Sequence, residues 1–142
     1  MKREIHFTRV AISGYFDPIH EGHLDHILGA KKLGDVLIAI VGTEEQCDKK
    51  HGSHFHSTKG RVCLLFKLGV DRVVLNIDKD GTCAETLRKV KPDIYVMGAE
   101  YTIDNLPQKE IDVCREIGCK IVFGVGKRLN RSSSYWEKRC VE

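Results

Sequence analysis

At 142 residues, with a formal net charge of +3 and a pI near 8.5, the chain suits a single domain spanning residues 1–142 and is too weakly basic for charge alone to imply a nucleic acid partner. The longest strongly apolar run, Val36 to Val41, is far too short to cross a bilayer, and Met1-Lys2-Arg3-Glu4 leads into a strand pattern without an apolar signal segment, so a cytoplasmic protein with no membrane partner is expected. Six cysteines (Cys47, Cys63, Cys83, Cys114, Cys119, Cys140) are scattered without a Cys-x-x-Cys pair, which argues against zinc or thioredoxin-like chemistry and for reduced, mostly structural thiols.

In chain order, Val10-Ala11-Ile12 reads as a short strand, and from about Glu21 a helix follows, with Leu24, Ile27, Leu28 and Leu33 at three- and four-residue spacing. Val36 to Val41, closed by Gly42, is a continuous apolar run of the kind buried on both faces of a sheet. Thr43 to Ser57 shows no periodicity and reads as a polar loop. Residues 58–68 carry Val62, Leu65, Phe66 and Leu68 at helical spacing, and Arg72-Val73-Val74-Leu75 is the next strand. Thr82-Cys83-Ala84-Glu85 has the pattern of a capping box opening a helix to about Val90. Asp93 to Met97, ended by Gly98, is a fourth strand. Pro107 suits the first turn of a helix carrying Ile111, Val113, Cys114 and Ile117, with Gly118 at its end, and Lys120 to Phe123 is a fifth strand. This alternation predicts an α/β, doubly wound, Rossmann-like five-stranded parallel sheet. Ligands of such sheets bind outside the carboxyl ends of the strands, at the switch point.

Gly14-Tyr15-Phe16-Asp17-Pro18-Ile19-His20-Glu21-Gly22-His23 lies at that end of the first strand. The first turn of the helix that follows has unpaired N–H groups and the positive end of the dipole, which favour an anion. His20 and His23 add donors there, Gly14 is expected to let the chain turn off the strand, and Gly22 lets a ligand lie against the backbone.

The string resembles the Gly-x-Phe-Asp-x-x-His-x-Gly-His signature of the cytidylyltransferase-like nucleotidyltransferases, whose nucleotide site is similar to that of class I aminoacyl-tRNA synthetases. The resemblance implies that Gly14, Tyr15, Phe16, Asp17 and Gly22 contact the nucleotide and that His20 and His23 hold the α- and β-phosphate oxygens during transfer. It extends over most of the chain. Lys49 and Lys50 stand where resembling enzymes carry lysines that reach phosphates, and Arg61 matches an arginine of their His-Ser-x-x-x-Arg pattern. Val96-Met97-Gly98-Ala99-Glu100-Tyr101 corresponds to Val-x-Gly-Asp-Asp-Trp of the glycerol-phosphate type and to Lys-Gly-Gly-Asp-Tyr of the heptose-phosphate type. That match implies nucleotide contacts from Gly98, Ala99, Glu100 and Tyr101.

Near the C-terminus Ser134 and Glu137 form a capping box, so Ser132, Ser133 and Ser134 mark a helix start beside Lys127, Arg128 and Arg131, a second anion site. The resembling family ends with Arg-Thr-Glu-Gly-Ile-Ser-Thr-Thr, whose Ser/Thr end binds the β- and γ-phosphates. Ser132-Ser133-Ser134 takes the place of Ser-Thr-Thr, and Arg128 is carried over as a catalytic cation.

The resemblance implies transfer of a nucleotidyl group from a nucleoside triphosphate, CTP favoured, to a phosphorylated alcohol or sugar such as glycerol 3-phosphate, with release of pyrophosphate. ATP, as in the heptose-phosphate or FAD-synthetase type, is the alternative donor. A non-catalytic nucleotide-binding module is the alternative of another class. Mg²⁺ is the expected cofactor, held chiefly by triphosphate oxygens and water, with no protein ligand assigned; a homodimer is compatible with this reading, and no nucleic acid partner is expected. His51, His54 and His56 have no acidic or cysteine partner at ligand spacing in the sequence and read as solvated loop residues. The loop from about Cys47 to Ser57 is expected to order when triphosphate binds.

Overall fold

The structure is a computed structural model, and it describes residues 6–126. Five strands, β1 (Arg9–Gly14), β2 (Val36–Val41), β3 (Arg72–Leu75), β4 (Ile94–Val96) and β5 (Lys120–Val122), form one sheet in the order β3-β2-β1-β4-β5. Every pairing is parallel. Helices α1 (Glu21–Lys31), α2 (Glu44–His51), α3 (Thr58–Lys67), α4 (Ala84–Val90) and α5 (Gln108–Ile117) connect or flank the strands. The expected doubly wound sheet is present, with β1 at its centre.

The two-residue period of the strands divides the core. Val10, Ile12, Leu37, Ala39, Val41 and Val96 pack with Ile27 and Ala30 of α1 and Leu65 of α3. Ala11, Ile40, Tyr95 and Met97 pack with Leu87 of α4 and Ile111, Val113 and Cys114 of α5. Each face of the sheet therefore has its own helical cover, which is why the central strands are apolar at nearly every position.

Register at the amino end is held by an aspartate before each of three strands. Asp35 accepts from Thr8 N at 2.8 Å, Asp71 from Leu37 N at 2.8 Å and Asp93 from Arg9 N at 2.8 Å. Each carboxylate satisfies a backbone donor of the adjacent strand or of the chain entering it.

Two local expectations are corrected. The segment Thr43 to Ser57 is not an irregular loop: Glu44–His51 is helical. Thr43 Oγ1 accepts from Gln46 N at 3.2 Å while Gln46 Oε1 accepts from Thr43 N at 2.9 Å, a reciprocal cap that outweighs the lack of an apolar face. Thr82 also does not form the expected box with Glu85. The N-cap of α4 is Cys83, without a side-chain cap bond, and Asp78 approaches from the β3–α4 connection to accept from Glu85 N at 2.8 Å and Thr86 N at 3.0 Å. A carboxylate brought in from outside the helix takes the next two amides, while Thr82 Oγ1 accepts from Ala84 N at 3.3 Å.

Candidate active site

The chain leaves β1 through a turn whose left-handed residue is Phe16, φ 52°, and not Gly14. Gly14 is needed for space: a Cβ there would lie 3.3 Å from the Phe16 ring. The Phe16 backbone costs on the order of 1–3 kcal/mol, and burial of its ring to 1% exposure opposes that cost. The peptide Asp17-Pro18 is cis. The Asp17 carboxylate, 1% exposed, accepts from Phe55 N at 2.9 Å and from His56 N at 2.8 Å, which ties the motif to the segment between α2 and α3.

His20 is the N-cap of α1, and its Nδ1 accepts from Gly22 N at 3.1 Å; His23 Nδ1 accepts from His20 N at 3.2 Å. The two rings stack with centroids 3.9 Å apart, and Phe16 supports His23 from 5.0 Å. Burial is the main cause that lowers the His20 pKa, against Glu21 and Glu100, and burial together with His20 and His26 takes His23 down to about 3. Both rings are neutral at pH 7. Since each Nδ1 accepts a backbone N–H, the ring proton belongs on Nε2, and each histidine is a donor of fixed tautomer at the positive end of a helix.

These residues border a cavity of about 480 Å³ at the carboxyl ends of β1 and β4, the switch point of the sheet. Gly14, Tyr15, Phe16, His20, Gly22, His23 and Lys50 come to it from the β1 and α2 side, and Gly98, Ala99, Glu100 and Tyr101 from β4. The structure thus gathers two separated sequence clusters. Ser13, His26, Asn105, Val125 and Gly126 also line it and were not singled out in the sequence, and so does His51, which was read as a solvated loop residue and is instead the last residue of α2. His26 Nδ1 lies 2.8 Å from Val125 O, joining α1 to the chain that leaves β5. None of these six sits in a recognisable motif, so only the fold brings them in.

A second cavity of about 690 Å³ lies over the ends of β1, β2 and β3, lined by Tyr15, residues of α2 including Lys49 and Lys50, and the connection Asn76 to Thr82. The sequence reading assigned that Asp- and Gly-rich connection no role. Its position after a strand is the signal that could have found it.

Arg61 is elsewhere. It is fully buried, its Nη1 donates to Tyr15 O at 2.6 Å and to Gly42 O at 2.5 Å, and its Nη2 donates to Thr58 Oγ1 at 3.3 Å. It lines neither cavity, and the guanidinium braces the ends of β1 and β2 in place of the nucleotide contact expected of it. His54, read as lacking an acidic partner, meets Asp48 at 2.8 Å because α2 turns that carboxylate toward it; hydrogen bonding to Asp48 raises its pKa. Lys127, Arg128, Arg131, Ser132, Ser133 and Ser134 lie outside the described residues.

Among the described residues no group of three or more histidine, cysteine, aspartate or glutamate side chains is arranged to hold a metal, and no helix is long and apolar enough to cross a membrane.

Residues 11–135 match the cytidylyltransferase-like family. The chain is 32% identical over 129 residues to the FAD synthase of Thermoplasma acidophilum, covering 90% of this chain and 84% of that protein. It is 31% identical over 102 residues to the D-beta-D-heptose 1-phosphate adenylyltransferase of Bordetella bronchiseptica, covering 70% of this chain and 62% of that one. Against the bifunctional protein HldE of Campylobacter concisus, 29% identical, the match takes in 90% of this chain but spans only 27% of the relative's length. Among solved structures, the lipopolysaccharide core biosynthesis protein of Thermoplasma volcanium superposes with a TM-score of 0.70 at 29% identity, over 86% of this chain and 99% of that one. With the histidine-capped helix at the switch point of a parallel sheet, and a family match running from β1 past β5, the chain belongs to the cytidylyltransferase-like nucleotidyltransferases.

Proposed function

We propose that the chain transfers an adenylyl group from ATP to a phosphorylated small molecule and releases pyrophosphate. The observation that carries the reading is the pair of stacked, neutral histidines at the start of α1, facing a cavity that meets a second, larger one at Lys50 and Tyr15. The triphosphate occupies the cavity between β1 and β4. The acceptor occupies the cavity over β2 and β3. ATP is preferred to the CTP favoured on sequence because relatives aligned over most of the chain are named for FAD synthesis and for heptose-phosphate adenylyl transfer.

The chemistry asks little of a general base. A phosphate monoester has its second pKa near ~6, so the attacking oxygen is already anionic at neutral pH. Catalysis then consists of alignment and of stabilising charge that builds on the α-phosphate and the leaving pyrophosphate. His20 and His23 donate from Nε2 to phosphate oxygens. Because they are neutral and held by their Nδ1 bonds, they need no reorganisation as charge develops. Lys49 and Lys50 bring positive charge from α2, and the basic and serine-rich segment after Gly126 takes the pyrophosphate end.

Mg²⁺, when bound, neutralises triphosphate charge and aligns its oxygens. The residues fit a metal held mainly by the nucleotide and water. Glu100 is the carboxylate lining the nucleotide cavity among the described residues, whereas Asp17 is occupied with two backbone N–H groups.

The test is pyrophosphate release with MgATP and MgCTP, each against FMN, glycerol 3-phosphate and a panel of sugar phosphates. Turnover with ATP and one acceptor supports the reading. Turnover only with CTP would restore the cytidylyl assignment, and tight ATP binding without turnover for any pair would leave a nucleotide-binding module.

A further inference from the structure

Tyr15 and Lys50 are the two described residues common to both cavities. Four neighbours fix the tyrosine. Its carbonyl accepts from the buried Arg61 at 2.6 Å. Its ring lies on Gly42, where a Cβ would come within 2.5 Å of Cδ1, so the glycine exists for the ring and not for its backbone angles. His51 meets the ring edge-on at 5.9 Å. Lys50 Nζ stands 4.9 Å from the ring centroid, a cation held against a π face.

Lysine is a flexible point charge, and four rotatable bonds let its ammonium wander unless something holds it. Here that something is the aromatic wall between the two cavities. The incoming phosphate oxygen and the α-phosphate must meet at that wall if donor and acceptor occupy the cavities on its two sides. An ammonium at that place lowers the repulsion between two anions at the moment they approach.

We propose that Tyr15 is a positioning residue, forming with Gly42 the partition between donor and acceptor and docking the Lys50 ammonium at the junction where the two phosphates meet. The role rests on the two-cavity reading above. Tyr15 acts through Lys50, so its loss lowers turnover more than it weakens binding of the triphosphate.

Two measurements test this. In protein labelled with ¹³C-lysine, the Lys50 ε-methylene, assigned by its absence in Lys50→Arg, is expected upfield of the other lysines because of the Tyr15 ring current. That shift should disappear in Tyr15→Leu and diminish in Gly42→Ala, which keeps the tyrosine but displaces it. The signal should move when the α,β-methylene analogue of ATP is added to the unaltered protein. In steady state, with the substrate pair active in the pyrophosphate screen, Tyr15→Leu and Gly42→Ala are expected to lower kcat about tenfold with KM for the triphosphate within about twofold, while Tyr15→Phe stays within about threefold in kcat. A Lys50 signal without an upfield shift, a shift that persists in Tyr15→Leu, or equal losses in Tyr15→Phe and Tyr15→Leu would overturn the assignment. Should Tyr15→Leu not fold, Gly42→Ala and Tyr15→Phe supply the same comparison. Absence of turnover by the unaltered protein with every pair would defeat the transferase reading instead, and the lysine spectrum would still decide where Tyr15 holds Lys50.

Discussion

Each imidazole of the motif is held at one ring nitrogen, and the proposed chemistry falls to the other. Nδ1 closes the start of α1 and Nε2 carries the ring proton, so on the proposed reading structure and chemistry are coupled within one side chain. His20→Ala and His23→Ala should each lower kcat by roughly 10²-fold or more, as when a transition-state donor is lost. His20→Asn, able to cap the helix, should recover stability but not turnover; melting temperature and pyrophosphate release measured on the same preparations would separate the cap from the proposed chemistry. The His23 pKa of about 3 has a consequence for acid stability as well. The unfolded chain takes up this proton near pH ~6.5 and the folded protein does not until far lower, so stability present above that pH is lost as pH falls. Over pH 6.5 to 4.5, His23→Gln should lose roughly 2 kcal/mol less than the unaltered protein in urea melts. Parallel pH dependences would mean that His23 is not held neutral.

At the level of elements, the Asp17 carboxylate joins the motif loop to the segment after α2. Gly52, φ 83°, ends α2 in the left-handed region, and a few residues on Asp17 collects the amides of Phe55 and His56 before Ser57 caps α3, accepting from Gly60 N at 3.0 Å. The motif loop is thus tied to the chain leaving the Lys49–Lys50 helix through backbone amides, in addition to the contacts of the Tyr15 ring with Lys50 and His51. Asp17→Ala leaves two amides without their acceptor, a loss of about 1–3 kcal/mol for each that stays buried. Hydrogen exchange should show faster exchange at Phe55 and His56, spreading back into α2, with β2 and β3 unaffected. Unchanged protection at those amides would mean that the segment is held by other contacts.

For the whole molecule, the parallel sheet places two cavities side by side because β1 is central, with β2 and β3 on one side and β4 and β5 on the other. The basic, serine-rich segment begins where the chain leaves β5, just past Val125, which is fastened to His26 of α1. Ser132 and Ser133 are expected to act on the triphosphate end and not on the base, since hydroxyls beside cations match phosphate and not a neutral ring. Ligand bound to the folded state raises its stability by about 2.7 kcal/mol at one hundred times Kd. The double variant Ser132→Ala/Ser133→Ala should therefore lose most of the thermal shift produced by MgATP while keeping that produced by AMP. Equal losses for the two would place the serines elsewhere.

Among the described residues, the sequence by itself determined the chain order and type of the strands, four of the five helices and the histidine motif, because those rest on local periodicity and on short strings whose residues act together. It also held the signal for α2, the reciprocal Thr43–Gln46 cap, which an expectation based on apolar periodicity passes over in a helix so polar. Arg61 and Asp17 could not be placed from sequence. A buried guanidinium and a solvent-facing one look alike in a string of letters, and the carbonyls and amides that claim them come from residues 19 to 46 positions away. The same holds for the pairing of Gly42 with Tyr15 and for the union of Gly98 to Tyr101 with the histidines. Only the tertiary structure decided those, because a parallel sheet brings the ends of strands together across stretches of chain too long for any local pattern to register.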